Sequence, residues 1–120
     1  MMRKYYNKLI RDKIPEVMGK KGKAYETKRL SAKEYRRELL KKVGEEASAL
    51  PKLDKKEDLA DELADVIEVI DEVKRTYKIT DEDLKNSQKK NRRRKGGFKK
   101  RLFLYWSEDD GYQTNERRNV

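Results

Sequence analysis

Residues 31–77 read SAKEYRRELLKKVGEEASALPKLDKKEDLADELADVIEVIDEVKRTY and have the most regular apolar spacing in the chain. Ser31, followed three residues later by Glu34, is a capping-box pattern that predicts a helix beginning there and ending before Pro51. A second, longer helix is predicted over about residues 55–77. The loop between them is short, so we expect an antiparallel helical hairpin. The apolar positions that indicate the two helices are Tyr35, Leu39, Leu40, Val43, Ala47 and Leu50, then Leu59, Leu63, Val66, Ile67, Ile70, Val73 and Tyr77.

Local signals outside the hairpin predict shorter elements on both sides of it. Proline favours the first turn of a helix, glycine its end, and a Ser/Thr–Asp/Glu pair three residues apart its start, while alternation of apolar residues favours a strand. The elements predicted in this way are a short helix from Pro15 that Gly19 or Gly22 ends, a third helix over 81–94 capped by Thr80 and Asp83, and short strands over 24–30 and 101–106. We expect the two strands to pair as a small two-stranded β element.

The predicted fold is mainly α, with one domain over residues 1–106 and a polar, mobile tail over residues 107–120. Charged residues make up 47% of the 120-residue chain and hydrophobic residues only 34%, so a single copy has little apolar surface to bury. We therefore expect a homo-oligomer in which a second hairpin completes a four-helix-bundle core.

The composition also excludes several kinds of site. The chain has no cysteine and no histidine, which excludes disulfides, thiolate or imidazole metal ligands and Ser-His-Asp catalysis. Any bound metal must have oxygen ligands, which favours Mg²⁺ and leaves Mn²⁺ as the alternative. Neither a signal-peptide pattern nor an apolar run of about 20 residues is present, so we expect a soluble, cytoplasmic protein with no membrane partner.

The formal net charge of +10 is unevenly distributed along the chain. Residues 57–72 are acidic and residues 89–101 are strongly basic, and a basic balance suits phosphate-bearing partners. The basic residues either attract a nucleotide's phosphates to the mouth of a site or form a nucleic-acid patch. Four aromatic residues interleave with them and either stack on bases or belong to the core of a terminal strand. These aromatic residues are Phe98, Phe103, Tyr105 and Trp106.

Helical geometry places several carboxylates beside the apolar faces of the hairpin. At about 100° per residue, Glu46 lies within or beside the apolar stripe of the first helix, and Glu62 lies at the edge of the second. Asp58 and Asp65 flank Glu62 on the side away from that stripe. Antiparallel packing lets Glu46 face Glu62 and Asp65, where the carboxylates repel one another unless a divalent ion lies among them. The alternative is that cations such as Lys42 neutralise these groups as salt bridges.

Two acidic motifs resemble the EExxE…ExxD signature of the all-α, MazG-like nucleoside triphosphate pyrophosphohydrolases: Glu45-Glu46 and, after a short loop, Glu62-Leu63-Ala64-Asp65-Val66. Two further segments look like the N- and C-terminal segments of the small, single-domain "house-cleaning" branch of that superfamily: YNKLIRDKIPEVMGKKGK (6–23) and GGFKKRLFL (96–104). The resemblance implies a Mg²⁺-dependent enzyme that converts a nucleoside triphosphate into a monophosphate and pyrophosphate.

The resemblance also implies roles for individual residues. The implied metal ligands are Glu46, Glu62 and Asp65, the implied catalytic residues are Glu45 and Glu46, and the implied nucleotide-binding residues are Asn7, Lys8 and Arg11. The third glutamate of EExxE is replaced here by Ala49. Three consequences are open: Asp58 or Glu45 supplies the missing ligand, the metal binds more weakly and leaves a slow enzyme, or catalysis is lost and only nucleotide or protein binding remains. The alternative outside the enzymes is a basic helical module that binds nucleic acid or a partner protein.

Overall fold

The computed structural model describes residues 2–109, which are mainly helical and include no β-strand. The helices are α1 (Ile14–Lys20), α2 (Ala32–Ala47), α3 (Lys56–Tyr77) and α4 (Asp81–Lys95), with a short 3₁₀ helix at Leu50–Lys52 between α2 and α3. The prediction of a mainly α fold is confirmed. Helix α2 was predicted to continue until Pro51 but ends at Ala47, because the chain tightens into the 3₁₀ helix around Pro51.

The predicted two-stranded β element is wrong. Residues 24–30 and 101–106 are both irregular, and nearly all of their side chains are exposed. Alternating apolar residues stabilise a strand mainly by packing one face, and a two-stranded ribbon is marginal by itself. Neither segment packs such a face in the described part of the chain, so nothing stabilises the pairing.

Both predicted capping boxes are present. The Ser31 Oγ accepts a hydrogen bond from the Glu34 N–H at 3.2 Å, and the Glu34 carboxylate accepts one from the Ser31 N–H at 3.1 Å. Thr80 and Asp83 make the equivalent pair of bonds at the start of α4, at 3.0 and 2.9 Å. These bonds satisfy N–H groups that every helix start leaves unpaired, which is why short local patterns predicted both starts correctly.

The end of α1 depends on a glycine. Gly22 has a φ of +69°, in the left-handed region that glycine adopts readily. The Lys23 N–H donates to the Met18 carbonyl and the Gly22 N–H to the Gly19 carbonyl, both at 3.0 Å. This pair of hydrogen bonds is common at helix ends. Helix α1 ends at Lys20, between the two glycines that were predicted to end it.

The helices α2 and α3 pack as the predicted antiparallel hairpin. Tyr35, at the start of α2, donates a hydrogen bond to Glu72 near the end of α3, whereas Glu46, at the end of α2, lies beside Glu62 in the first half of α3. Leu39 is the one buried hydrophobic side chain among the described residues. Four of the apolar positions that predicted the hairpin are instead exposed in the single chain: Leu40, Leu63, Ile67 and Tyr77.

The chain divides into two units between Leu84 and Lys85. The first unit contains α1, α2, α3 and the first residues of α4, and the second contains the rest of α4 and the irregular segment that follows. Every described side chain from residue 85 onward is exposed. Of the predicted tail, residues 110–120 lie outside the described residues. Within residues 2–109, none of the helices has the length and apolar character needed to cross a bilayer.

Candidate metal centre

Three carboxylates meet at one end of the hairpin. Glu46 lies in the last turn of α2, while Glu62 and Asp65 lie three residues apart on α3 and so share a face of that helix. One carboxylate oxygen from each of the three residues lies within 4.8 Å of the others. All three residues are half-buried. The structure therefore brings together the three residues that helical phase and the family resemblance singled out.

The surroundings of Glu62 disfavour its ionised form. Partial removal from water, followed by the negative charges of Glu46 and Asp65, raises the pKa of Glu62 above its usual value. In the described part of the chain, no Lys or Arg nitrogen lies within ion-pair distance of Glu62. A cation among the three carboxylates would remove this repulsion, because opposite charge favours the ionised form.

The other two carboxylates of the group already have cationic partners. The Lys42 ammonium lies 3.3 Å from the Glu46 carboxylate and 3.2 Å from that of Glu45, and its side chain is only 13% exposed. The Arg11 guanidinium donates to the Asp65 carboxylate at 2.9 Å. Salt bridges, the alternative to a metal, therefore neutralise part of the group and leave Glu62 without a counter-ion.

The N-terminal segment lies against these carboxylates. Lys8 contacts the Glu45 carboxylate at 3.1 Å, next to the bond from Lys42. Burial opposes the ionisation of Glu45, but hydrogen bonds from Lys8 and Lys42 outweigh it and lower the pKa of Glu45. Asn7 is exposed and has a φ of +46°, a conformation that asparagine tolerates better than most residues. Lys8 and Arg11, two of the predicted nucleotide ligands, thus lie beside the acidic group.

Two predicted features lie outside the group of three. Asp58 is exposed, one turn before Glu62 on α3, and is not among the carboxylates that converge. Ala49 follows the end of α2 and leaves that position without a polar group. The contact of Arg11 with Asp65 was not predicted, because it joins residues 54 positions apart and depends on how the N-terminal segment packs.

The chemistry available at this centre combines hard oxygen ligands with nearby cations. Carboxylate oxygens suit Mg²⁺ or Mn²⁺, and the Lys and Arg side chains around them suit phosphate oxygens. Comparison of the chain with protein-family models, with curated proteins and with solved structures found no match. The residues of the site and the motif resemblance are therefore the basis for a functional proposal.

Proposed function

We propose that this chain is a Mg²⁺-dependent nucleoside triphosphate pyrophosphohydrolase, with Mn²⁺ as an alternative ion, acting in the cytoplasm. The observation that carries the proposal is the convergence of Glu46, Glu62 and Asp65 from two helices, with oxygens within 4.8 Å of one another. The resemblance of these motifs to the MazG-like signature supplies the reaction: water bonds to phosphorus, the bond between the α- and β-phosphates breaks, and a monophosphate and pyrophosphate leave.

The donor set fits a small divalent cation. All three donors are carboxylates, and a Mg²⁺ site commonly uses one or two carboxylates, with waters and substrate phosphates as its other ligands. When bound, the ion would supply positive charge to the triphosphate and polarise the phosphorus under attack. Glu62 is available for coordination as it stands, whereas Glu46 and Asp65 must exchange or share their contacts with Lys42 and Arg11.

The neighbouring residues have complementary roles in this proposal. Glu45 stays ionised at neutral pH, because its cationic partners lower its pKa, and it orients the attacking water by accepting a hydrogen bond. Lys8 and Arg11, released from their carboxylates, bind the triphosphate oxygens. Asn7, which is exposed, contacts the base or the ribose in this proposal.

The test is release of pyrophosphate from a panel of nucleoside triphosphates with Mg²⁺ or Mn²⁺. We expect wild-type activity on at least one triphosphate, and its loss in Glu62→Gln. Glu68→Gln is the matched control, because Glu68 is exposed on the same helix and lies outside the group of three. Equal activity in the two variants, or no release from any triphosphate by the wild type, would overturn the proposal.

Ala49 supports a second candidate, a homologue that binds nucleotides but does not hydrolyse them. In that case the wild type binds a triphosphate only with Mg²⁺ present and releases no pyrophosphate. Ala49→Glu separates the two candidates, because it restores a carboxylate one turn from Glu46. Higher Mg²⁺ affinity together with new activity in Ala49→Glu indicates a degenerate enzyme, whereas an already active wild type indicates that the carboxylates present suffice without one at position 49.

A further inference from the structure

The net charge of the chain comes from one short segment. Between Asp83 and Glu108 there are ten Lys or Arg residues and no Asp or Glu. The whole chain has 33 basic and 23 acidic residues, so the remainder has 23 of each and is neutral. A polyanion would therefore be attracted to this segment rather than to the chain as a whole.

The helical part of this segment has no apolar face. From residue 85 to residue 95 every side chain of α4 is exposed, and Leu84 is the only apolar residue anywhere in α4. A polar helix of this length gains little from packing and is marginal by itself. The first turn of α4 is acidic, but from residue 85 onward its charged residues are all Lys or Arg, with four of these cations in the last turn.

The irregular part of the segment exposes aromatic rings next to these cations. Phe98 is 97% exposed, Phe103 80%, Tyr105 86% and Trp106 80%. With the rings exposed and no strand at 101–106, the interpretation of these residues as a strand core is wrong for the described chain. Rings that cover no core are available to stack on planar groups of a partner.

We infer that residues 85–106 are a binding surface for single-stranded nucleic acid. A single strand has a continuous row of phosphates and bases with free faces, and known single-strand surfaces combine a basic groove with stacking aromatics. A duplex hides its base faces and would use only the cations. A membrane surface is less well matched, because a helix that lies in the interface needs an apolar face, which α4 lacks. This inference does not depend on the proposed hydrolase activity.

The cations and the rings should contribute to binding in two ways that the salt dependence of the affinity separates. Each phosphate contact with a single strand contributes a slope of about −0.7 to the dependence of log K on log salt, so about five contacts give a slope near −3.5. Stacking depends little on salt and is largely independent of base sequence. Loss of cations should therefore lower both the affinity and the salt slope, whereas loss of rings should lower the affinity alone.

The experiment is fluorescence anisotropy of labelled oligo-dT and oligo-U, each of about 20 nucleotides, with the full chain over a range of salt. Arg92→Gln/Arg93→Gln/Arg94→Gln should weaken binding at least tenfold and flatten the salt slope by about 2. Phe98→Ala/Trp106→Ala should weaken binding at least about thirtyfold with an unchanged slope, because two stacking contacts are lost. The substituted side chains are exposed, so circular dichroism should be unchanged.

A matched control removes three charges elsewhere. The triple variant Lys21→Gln/Lys23→Gln/Arg29→Gln changes exposed cations outside the segment and should bind like the wild type. Equal loss in this control would overturn the inference, as would equal affinity for a duplex of the same length. Binding to anionic lipid vesicles without binding to either oligonucleotide would likewise overturn it and identify a membrane surface instead.

Discussion

Glu62 carries a carboxylate that the hairpin surrounds with negative charge. Because its pKa is raised in the folded chain, ionising Glu62 favours the unfolded state. The contribution of protonated Glu62 to the free energy of unfolding is fully present below the usual pKa of a glutamate, about 4.3. This contribution is lost as pH rises through the higher pKa that Glu62 has in the folded chain. Without divalent ions, we expect Glu62→Gln to be at least as stable as the wild type at neutral pH. Its stability should also lack the loss with rising pH that Glu62 causes in the wild type.

Added Mg²⁺ should make the wild type more stable than Glu62→Gln. Binding to the native state alone raises its stability, so the wild type should gain melting temperature and Glu62→Gln should gain much less. Thermal unfolding followed from about pH 4 to pH 7, with Mg²⁺ or with a chelator, measures both effects. A Glu62→Gln variant that is less stable than the wild type in chelator at neutral pH would mean that Glu62 has a stabilising partner.

If the proposed metal binds at Asp65, Arg11 competes with it, because Arg11 already forms an ion pair with that carboxylate. Its guanidinium and the Asp65 carboxylate are both substantially exposed, so this ion pair contributes little to stability, but it occupies a ligand oxygen. We expect Arg11→Gln to bind Mg²⁺ about two- to fivefold more tightly without nucleotide, the range that a surface ion pair is worth. The same variant should bind a non-hydrolysable triphosphate more weakly, because a proposed phosphate-binding residue is lost.

Calorimetric titration with Mg²⁺ and then with the triphosphate measures both affinities. Arg29→Gln is the control, because Arg29 is exposed and has no ion-pair partner among the described residues. If Arg11→Gln and Arg29→Gln have the same Mg²⁺ affinity, Arg11 does not compete for the site.

The residues of the acidic group were predictable to different degrees. Helical phase and antiparallel packing placed Glu46 opposite Glu62 and Asp65, because a regular helix fixes direction from spacing. Phase did not exclude Asp58, which lies on the same side of α3 but does not converge with the other three. The cations were less predictable. Lys42 lies one turn from Glu46 and follows the same rule, but the contact of Arg11 with Asp65 arises from the packing of an irregular segment. No periodic pattern describes such a segment.

Among the elements, α2 depends on the cap at Ser31. Replacement of a capping serine by alanine typically costs about 1 kcal/mol, because the N–H group near the helix start loses its acceptor. We expect Ser31→Ala to lower the free energy of unfolding by about that amount in denaturant titrations. Lys33→Ala, in the same turn but without a capping bond, should change it little. Equal losses in the two variants would mean that the cap does not stabilise α2.

Helices were predictable here because their signals are local. The bonds between Ser31 and Glu34, and between Thr80 and Asp83, lie within four residues of sequence, so the sequence indicates them directly. Strand pairing between residues 24–30 and 101–106 would join distant segments and needs a covered face. Alternation of apolar residues indicates only that such a face exists, and in the single chain nothing covers it.

In the molecule as a whole, apolar surface that belongs in a core remains exposed. Leu63 and Ile67, one turn apart on the same side of α3, are 46% and 55% exposed, and Leu40 on α2 is 50% exposed. Leu39 is the one buried hydrophobic side chain in residues 2–109. Nothing in the described part of the single chain covers Leu40, Leu63 and Ile67, so one copy alone has a very small core.

A second copy of the hairpin would cover this surface, and we expect the protein to be at least dimeric. In a two-fold pair the same residues of both chains meet, so Leu63→Lys/Ile67→Lys places four charges in the contact. This variant should be monomeric by light scattering and melt at a lower temperature, whereas Leu84→Lys, which changes an exposed leucine outside α2 and α3, should assemble like the wild type. The melting temperature of the wild type should also rise with protein concentration, because assembly stabilises the folded chain. A wild-type mass of 14.4 kDa at every concentration, with a constant melting temperature, would contradict the assembly.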